Sequence, residues 1–407
     1  MRRGMDLKKY RDIPYQKRCG CMICGKKSVS PIIRLPKFPL TELYVRSKPR
    51  ELLGFADQAL HLCSNCGHGQ IANVIDVKLQ YGNTETYNFR TSQSITGRET
   101  TIFFIDFLNQ VLGQKKFNTI VEVGCNDLYL LKGLKSRARQ LIGIDPILKG
   151  REQEMAEDNI SVIGDFFENI LLPERVDVIL CKDVIEHVAD PRMFIKRIVD
   201  RASEDTMLFV QVPLLETILE DGRFDQIFHQ HLNYFSIQSF LYMLDGLGCG
   251  LVDYAINYDH WGTGLFAFKK GKNPAKWKAL IQPVTPACIR GCYDLFKIEM
   301  HQVNNRMLAS KGGKIYGYGG ALMLAVLSYH LGNDLSCLSG VMDDDKKKAG
   351  MSYLNVPVSI VHTSQVKDLR GATVLLTAVA SKINVRRMLA NLISLKPRHI
   401  LYPLRTI

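Results

Sequence analysis

Four cysteines carry the most specific chemical signal in this chain. They form two Cys-x-x-Cys pairs, Cys21–Cys24 and Cys63–Cys66, each followed directly by a glycine, Gly25 or Gly67. A tight turn after each pair aims two thiolates at one point. Two such knuckles complete a tetrahedral four-sulfur set that suits Zn²⁺ and leaves no open position. The 38 residues between the pairs exceed the usual ribbon spacing, but loop length costs little entropy. Cys19, His61 and His68 are rival ligands, and four unrelated buried thiols are the alternative reading. The 11 cysteines are an odd number, and the charged start MRRGMDLKKYRDI lacks a signal peptide's apolar stretch. Both observations argue against a disulfide framework.

The second constellation is Glu122-Val-Gly124-Cys-Asn126-Asp127, at the end of an apolar, β-branched run over residues 118–124. A glycine at a strand end lets backbone approach a ligand, and Asp145, 21 residues past Gly124, stands where an acid bonds ribose hydroxyls. A dinucleotide site wants G-x-G-x-x-G to seat a pyrophosphate. Here one glycine sits among carboxylates, which repel phosphate and suit a sulfonium and an ammonium. S-adenosylmethionine fits better than NAD. Asp165-Phe166 ends a third strand, where the acid faces an adenine amine and the ring covers the base.

The third is His229-Gln-His231, within FDQIFHQHLNYF at residues 224–235. Spacing of two puts both rings on one side of an extended segment. No acid or cysteine lies close by in sequence to complete a metal site, so proton transfer by a neutral imidazole is the expected chemistry.

The elements that position these groups follow a doubly wound order. A polar loop over 81–99 leads into a helix around Glu99–Leu112, followed by strands at 118–124, QLIGID ending at Asp145, and 161–165. A strand at Val176–Cys181 places Asp183 to His187 at its C-terminal end, where open α/β sheets bind ligands. Asp190-Pro191 starts a helix as N-cap and N1, and Met207–Pro213 is a fifth strand. Residues 269–310 read as a linker plus a helix. From Lys314 a second α/β unit begins, with Gly317, Gly319 and Gly320 in its first turn and Asp343 24 residues after Gly319. That turn admits two readings: an NAD loop, or a Rossmann-like domain that holds a substrate's phosphates or merely packs.

Composition sets the bounds. The chain has 407 residues, 46% hydrophobic and 23% charged, which excludes a mainly disordered, collagen-like or coiled-coil protein. No apolar run approaches the roughly 18 residues of a membrane helix, so no membrane partner and a cytoplasmic location are expected. Residues 1–50 hold 14 Lys and Arg against 3 Asp and Glu, most of the net charge of +13. A basic arm for nucleic acid is one reading. It is disfavoured, because no aromatic–basic RNA motif follows the arm. Base amino-methyltransferases also usually place an Asn/Asp-Pro-Pro-aromatic motif where this chain has CKDVIEHV.

Nearly end to end, the motifs resemble those of the sugar C-methyltransferases, which methylate nucleotide-linked 4-keto-deoxysugars. The four N-terminal cysteines, the Tyr/Ser-rich YGNTETYNFRTSQS, EVGCNDL for E-x-G-x-N-D-G, VIEHVADP, FHQHLNYFS for Y-H-E-H-x-x-Y-F-S, HWGTGLFAF, GYGGA and DDDKKKAG occur in the family's order. The resemblance implies an α/β protein with an N-terminal zinc-binding module (1–80), a central Rossmann-like S-adenosylmethionine methyltransferase domain (81–272) and a C-terminal Rossmann-like domain (273–407). It implies that His231 is the general base at C3 of the sugar, with His187 beside the ketone or enolate oxygen and Tyr87 contributing a hydroxyl. Glu122, Gly124, Asn126, Asp127, Asp145, Asp165 and Phe166 would line the cofactor pocket. His229, Gln230, Tyr234, Gly317, Gly319 and Gly320 would contact the nucleotide sugar, and the protein would act as a monomer or weak dimer. Zinc would then be structural. The sequence departs from the pattern at Phe228 (Tyr in the family), Gln230 (Glu) and Leu128 (Gly in the cofactor loop); the first two bear on the substrate more than on the fold. An O-methyltransferase acting on a sugar is the runner-up.

Overall fold

A computed structural model describes residues 7–76, 79, 90–260, 262–279, 281–310, 312–379 and 382–404. Its centre is a seven-stranded sheet. Across the sheet the strands run Cys249–Asn257, Thr263–Lys270, Met207–Pro213, Val178–Lys182, Phe117–Val123, Ala138–Ile144 and Ile160–Ile163. Neighbours from Met207–Pro213 through Ile160–Ile163 pair in parallel, and Thr263–Lys270 runs antiparallel to both strands beside it. The chain order reverses at Phe117–Val123 and Val178–Lys182, so their C-terminal ends flank the crevice where such sheets bind ligands. The strands are buried on both faces. Helix Ile95–Leu112 lays Phe104, Phe107 and Leu108 on one side, against Phe209 and Ile120. Helix Pro191–Arg201 lays Phe194, Ile195 and Ile198 on the other. Asp190 caps that second helix by accepting the Met193 N–H at 2.9 Å, with Pro191 in its first turn.

The amino-terminal residues build a separate antiparallel sheet of Val29–Pro39, Phe55–Cys63 and Gly69–Ile71. Its fourth strand, Asn233–Tyr234, comes from the segment that carries the His-x-His. The carboxy-terminal unit is a five-stranded parallel sheet in the order Ile360–His362, Val341–Asp343, Ile315–Tyr318, Thr373–Leu376 and His399–Leu401. Ser352–Tyr353 reaches back to pair with Tyr44–Val45, and the 24-residue helix Pro286–Ala309 buries Phe296, Met300 and Met307. Among the described residues no helix is long and apolar enough to cross a membrane.

Candidate functional site

At the end of Phe117–Val123 the chain turns through Gly124 at φ +78°. A Cβ there would fall 2.3 Å from Val184 Cγ2, so the loop after Val178–Lys182 lies directly on the glycine. Asp145 organises the turn. Its Oδ2 accepts the Asn126 N–H at 2.8 Å and its Oδ1 the Ile147 N–H at 3.0 Å. Asp127 Oδ2 accepts the Ser92 N–H and hydroxyl at 3.0 and 2.5 Å. Two carboxylate oxygens around the glycine, Asp127 Oδ1 and Glu122 Oε2, are buried without a hydrogen-bond partner. Burial pushes Glu122 up to about 8, with Asp145 and Asp127 adding repulsion and Lys182 opposing. These carboxyl oxygens suit a ligand that brings positive charge and N–H donors, such as a sulfonium and an ammonium group. Farther along the crevice, Asp165 Oδ1 accepts the Phe166 N–H at 2.7 Å and the Asn169 amide at 3.0 Å, and the Phe166 ring is 55% exposed.

Leu128, where the resembled family has glycine, sits at φ +65° with its side chain fully buried. The left-handed backbone costs about 1–2 kcal/mol, and burying the leucine gives back roughly 1.5–3 kcal/mol. The departure is therefore tolerated, and the turn keeps its shape. For Gly124→Ala no such offset exists, because the new methyl meets Val184. A loss of about 2 kcal/mol or more in the urea unfolding free energy is expected, and a change within 0.5 kcal/mol would show that the loop relaxes freely.

Val184 leads straight to the histidines. Its carbonyl accepts the His187 N–H at 3.0 Å, closing the turn Ile185–His187. Leu232 N–H donates to the Glu186 carbonyl at 2.7 Å, and the Asn233 amide donates to the carbonyls of Val188 and Ile185 at 2.7 and 3.1 Å. These bonds clamp the two segments together and bring the His187 and His231 ring centroids to 4.9 Å. His187 Nδ1 hydrogen-bonds the Gln230 carbonyl at 2.9 Å, which makes Nδ1–H the donor. The Gln226 backbone bonds the His231 ring, while His231 Nδ1 is buried without a partner. Burial lowers the proton affinity of both rings, and each is neutral at pH 7. Glu186 is driven well above the usual carboxyl range by burial and then by Asp183. Asp183, at φ +54°, is held by Gln211 and Lys182 at 2.7 and 2.9 Å.

His229 goes elsewhere. A turn at 229–230 breaks the extended spacing, so the two rings part instead of sharing a side. His229 contacts the Gln58 amide at 3.1 Å through Nδ1 and the Phe38 carbonyl at 3.1 Å through Nε2. It faces the amino-terminal sheet with both nitrogens in use. Gln230 donates to Glu42 at 3.3 Å, which gives the amide at this position a physical reason, since a glutamate there would face a second carboxyl. Tyr234 OH accepts the Phe228 N–H at 3.1 Å and is buried.

Residues 98–254 match the family described as a methyltransferase domain. That match gives this stretch the character of a methyltransferase domain. The chain is also similar to C-methyltransferase NovU of Streptomyces niveus, 22% identical over 257 residues, covering 60% of this chain and 59% of that protein. The chain thus spans about three-fifths of that relative's length. Among solved structures it is similar to N-methyltransferase NodS of Bradyrhizobium japonicum, in complex with S-adenosyl-L-homocysteine (16% identity, 44% of this chain, 88% of that one, TM-score 0.35). It is also similar to magnesium protoporphyrin IX methyltransferase of Synechocystis (12% identity, 44% and 84%, TM-score 0.35).

Outside the methyltransferase domain, the four knuckle sulfurs lie within 4.8 Å of one another, with Cys21–Cys66 and Cys24–Cys63 at 3.5 Å. Zinc–sulfur bonds of about 2.3 Å place tetrahedral sulfurs about 3.8 Å apart, so the set fits the ion. Gly25 and Gly67 take φ of +70° and +73° directly after each pair. Cys19 is exposed and outside the cluster, and His68 Nε2 meets Asn233 at 3.4 Å. In the carboxy-terminal unit, the Gly320 N–H is taken by Asp343 at 2.7 Å. The Gly320 carbonyl accepts from Lys348 and Tyr44, both at 2.9 Å. The Gly320 backbone is thus occupied by side chains from both the carboxy-terminal unit and the amino-terminal strand Tyr44–Val45. Tyr87 lies outside the described residues.

Sequence reading did not single out Glu186, Asp183, Gln211 or His260 as site residues. His260, pushed to about 4 by burial and influenced by Asp183, completes the wall beside that aspartate. The sequence places Asp183 and Glu186 at a ligand-binding strand end and His260 in the HWGTGLFAF motif without a role for any of them, and Gln211, inside Met207–Pro213, carries no signal.

Proposed function

We propose that this chain is a C-methyltransferase whose acceptor is a nucleotide-linked 4-keto-deoxysugar, with His231 removing the proton α to the ketone at C3. The observation that carries the reading is the His187–His231 pair, joined through Val184 to Gly124, with His231 Nδ1 open and unprotonated. The cofactor, when bound, supplies an electrophilic methyl, so the chain itself has to make the acceptor carbon nucleophilic and aim it. A ring whose proton affinity burial has lowered is a weak base. Proton removal then depends on a donor to the enolate oxygen. His187 has given its Nδ1–H to Gln230 and turns an acceptor nitrogen inward, so the donated hydrogen falls to Glu186, kept protonated by its surroundings. Phe228, 4.2 Å from the His231 ring, excludes water where the resembled family has a hydroxyl. Zn²⁺ at Cys21, Cys24, Cys63 and Cys66 has a structural role in this reading.

The test is mass spectrometry with isotopically labelled cofactor and a panel of nucleotide 4-ketosugars in deuterated water. Deuterium entering C3 and a methyl gained on carbon are expected. A methyl gained on oxygen without exchange at C3 would support the sugar O-methyltransferase instead. No gain on any ketosugar would refute both.

Cofactor affinity should also depend on pH. A cationic ligand beside Glu122 favours the ionised carboxylate, so binding expels the proton that the free protein holds below about pH 8. Affinity is expected to rise with pH, by up to about tenfold per unit, and to level off above 8. Glu122→Gln should flatten the profile. Calorimetric titration across pH 6–9 checks this, and a flat wild-type profile would separate Glu122 from the ligand.

A further inference from the structure

The sequence shows no acid close to the His-x-His, but the fold supplies one. Glu186, His187 and His231 each place one ligating atom within 4.8 Å of the others, and His187 Nε2 lies 3.9 Å from Glu186 Oε1. Tetrahedral ligands at zinc bond lengths of about 2.0–2.1 Å sit about 3.3–3.4 Å apart, so the pair at 3.9 Å would close by about half an ångström and His231 by up to about 1.5 Å to share an ion. Two buried atoms here have no hydrogen-bond partner: Glu186 Oε2, in a side chain 1% exposed, and His231 Nδ1, in one 4% exposed. Both imidazoles are oriented by main-chain contacts, His187 by the Gln230 carbonyl and His231 by the Gln226 backbone. Metal-bound histidines are oriented and fixed in tautomer in this way. Two imidazoles and one carboxylate suit first-row divalent ions and leave coordination positions open.

We propose that Glu186, His187 and His231 form a second divalent-metal site, distinct from the four-cysteine cluster, that takes a zinc-class ion. The ion forms bonds to His231 Nδ1, His187 Nε2 and a Glu186 carboxylate oxygen, gives up water ligands in exchange, and any Glu186 proton leaves to solvent. If the reading of His231 as base is right, on which this consequence alone rests, the ion competes with the acceptor and switches methyl transfer off.

Zinc counting on the full-length protein tests the site. After dialysis against Zn²⁺, elemental analysis should find two ions per chain in the wild type. Glu186→Gln and His187→Gln should hold one, with second-site affinity at least tenfold weaker. A measurement on the wild type alone guards against misfolded variants: among the ten histidines, the imidazole ¹⁵N resonances of His187 and His231 should shift with the second equivalent. One ion per chain in the wild type, or unmoved ring resonances, overturns the proposal. Zn²⁺ inhibition is then measured separately. A second ion bound without inhibition keeps the metal site and removes His231 as the base. Absence of the second ion removes the metal site and leaves the base assignment untouched.

Discussion

His231→Ala is expected to slow methyl transfer by about 10²–10⁴-fold, the range a positioned general base contributes. Cofactor affinity should change less than twofold, since no bond links the ring to Glu122, Asp127 or Asp145. The variant should also lose deuterium exchange at the acceptor carbon in the absence of cofactor. That readout separates lost proton abstraction from lost binding. The pH profile supplies a further sign. Burial holds the wild-type ring well below its ordinary value. The base form therefore persists through pH 6.5, and the rate should fall only at more acid pH. An inflection near 6.5 would place the ring in water. Full activity in the alanine variant would end the mechanism.

The candidate site was legible in sequence where chemistry is local. The two Cys-x-x-Cys-Gly pairs encode their own turns, because a glycine at positive φ after each pair is a short-range requirement, and the four sulfurs meet. The Gly124 turn with an acid 21 residues on is a property of one strand–turn–helix–strand unit; the sequence reading has Asp145 face ribose hydroxyls, and in the fold its carboxylate accepts the Asn126 and Ile147 N–H groups. The five parallel strands were readable from β-branched runs. Their ends shifted by a residue or two, as at Val178–Lys182 against the expected Val176–Cys181.

What the sequence hid depends on tertiary contact. Period-two reasoning put His229 and His231 on one side, but the Asn233–Tyr234 strand joins the amino-terminal sheet. The turn that makes this possible sends His229 to Phe38 and His231 to His187. Glu186 reads as one more charge after a strand. Its meaning comes from Leu232 N–H docking on its carbonyl, 46 residues away. Strands of two or three residues, such as Ser352–Tyr353, are too short to show any period.

If the four cysteines hold Zn²⁺ as proposed, removing it is expected to slow methyl transfer from a distance. Apparent zinc affinities in small Cys/His domains are about 10–16 kcal/mol at neutral pH, and that binding energy is folding energy. In the amino-terminal sheet it adds to the packing of Leu35, Phe38, Leu60 and Ile71, with Leu35 and Phe38 toward the end of the strands away from the knuckles. The knuckles pin strands Val29–Pro39 and Phe55–Cys63, and those strands carry Phe38 and Gln58, which hold His229. Arg18, three residues before Cys21, donates to the Leu232 carbonyl at 2.7 Å and to Ala189 at 2.8 Å, bridging the knuckle to both halves of the histidine clamp. Chelation, or Cys63→Ser, should therefore raise hydrogen exchange across 29–75 and also across 228–234, with methyl transfer falling at least 100-fold and returning on zinc addition after chelation. Cys19→Ser, at an exposed thiol outside the cluster, should change nothing. Unaltered protection of 228–234 in the zinc-free protein would mean that the base segment is held by the methyltransferase domain alone, through Glu186 and Asn233, and that the amino-terminal module acts on some other step.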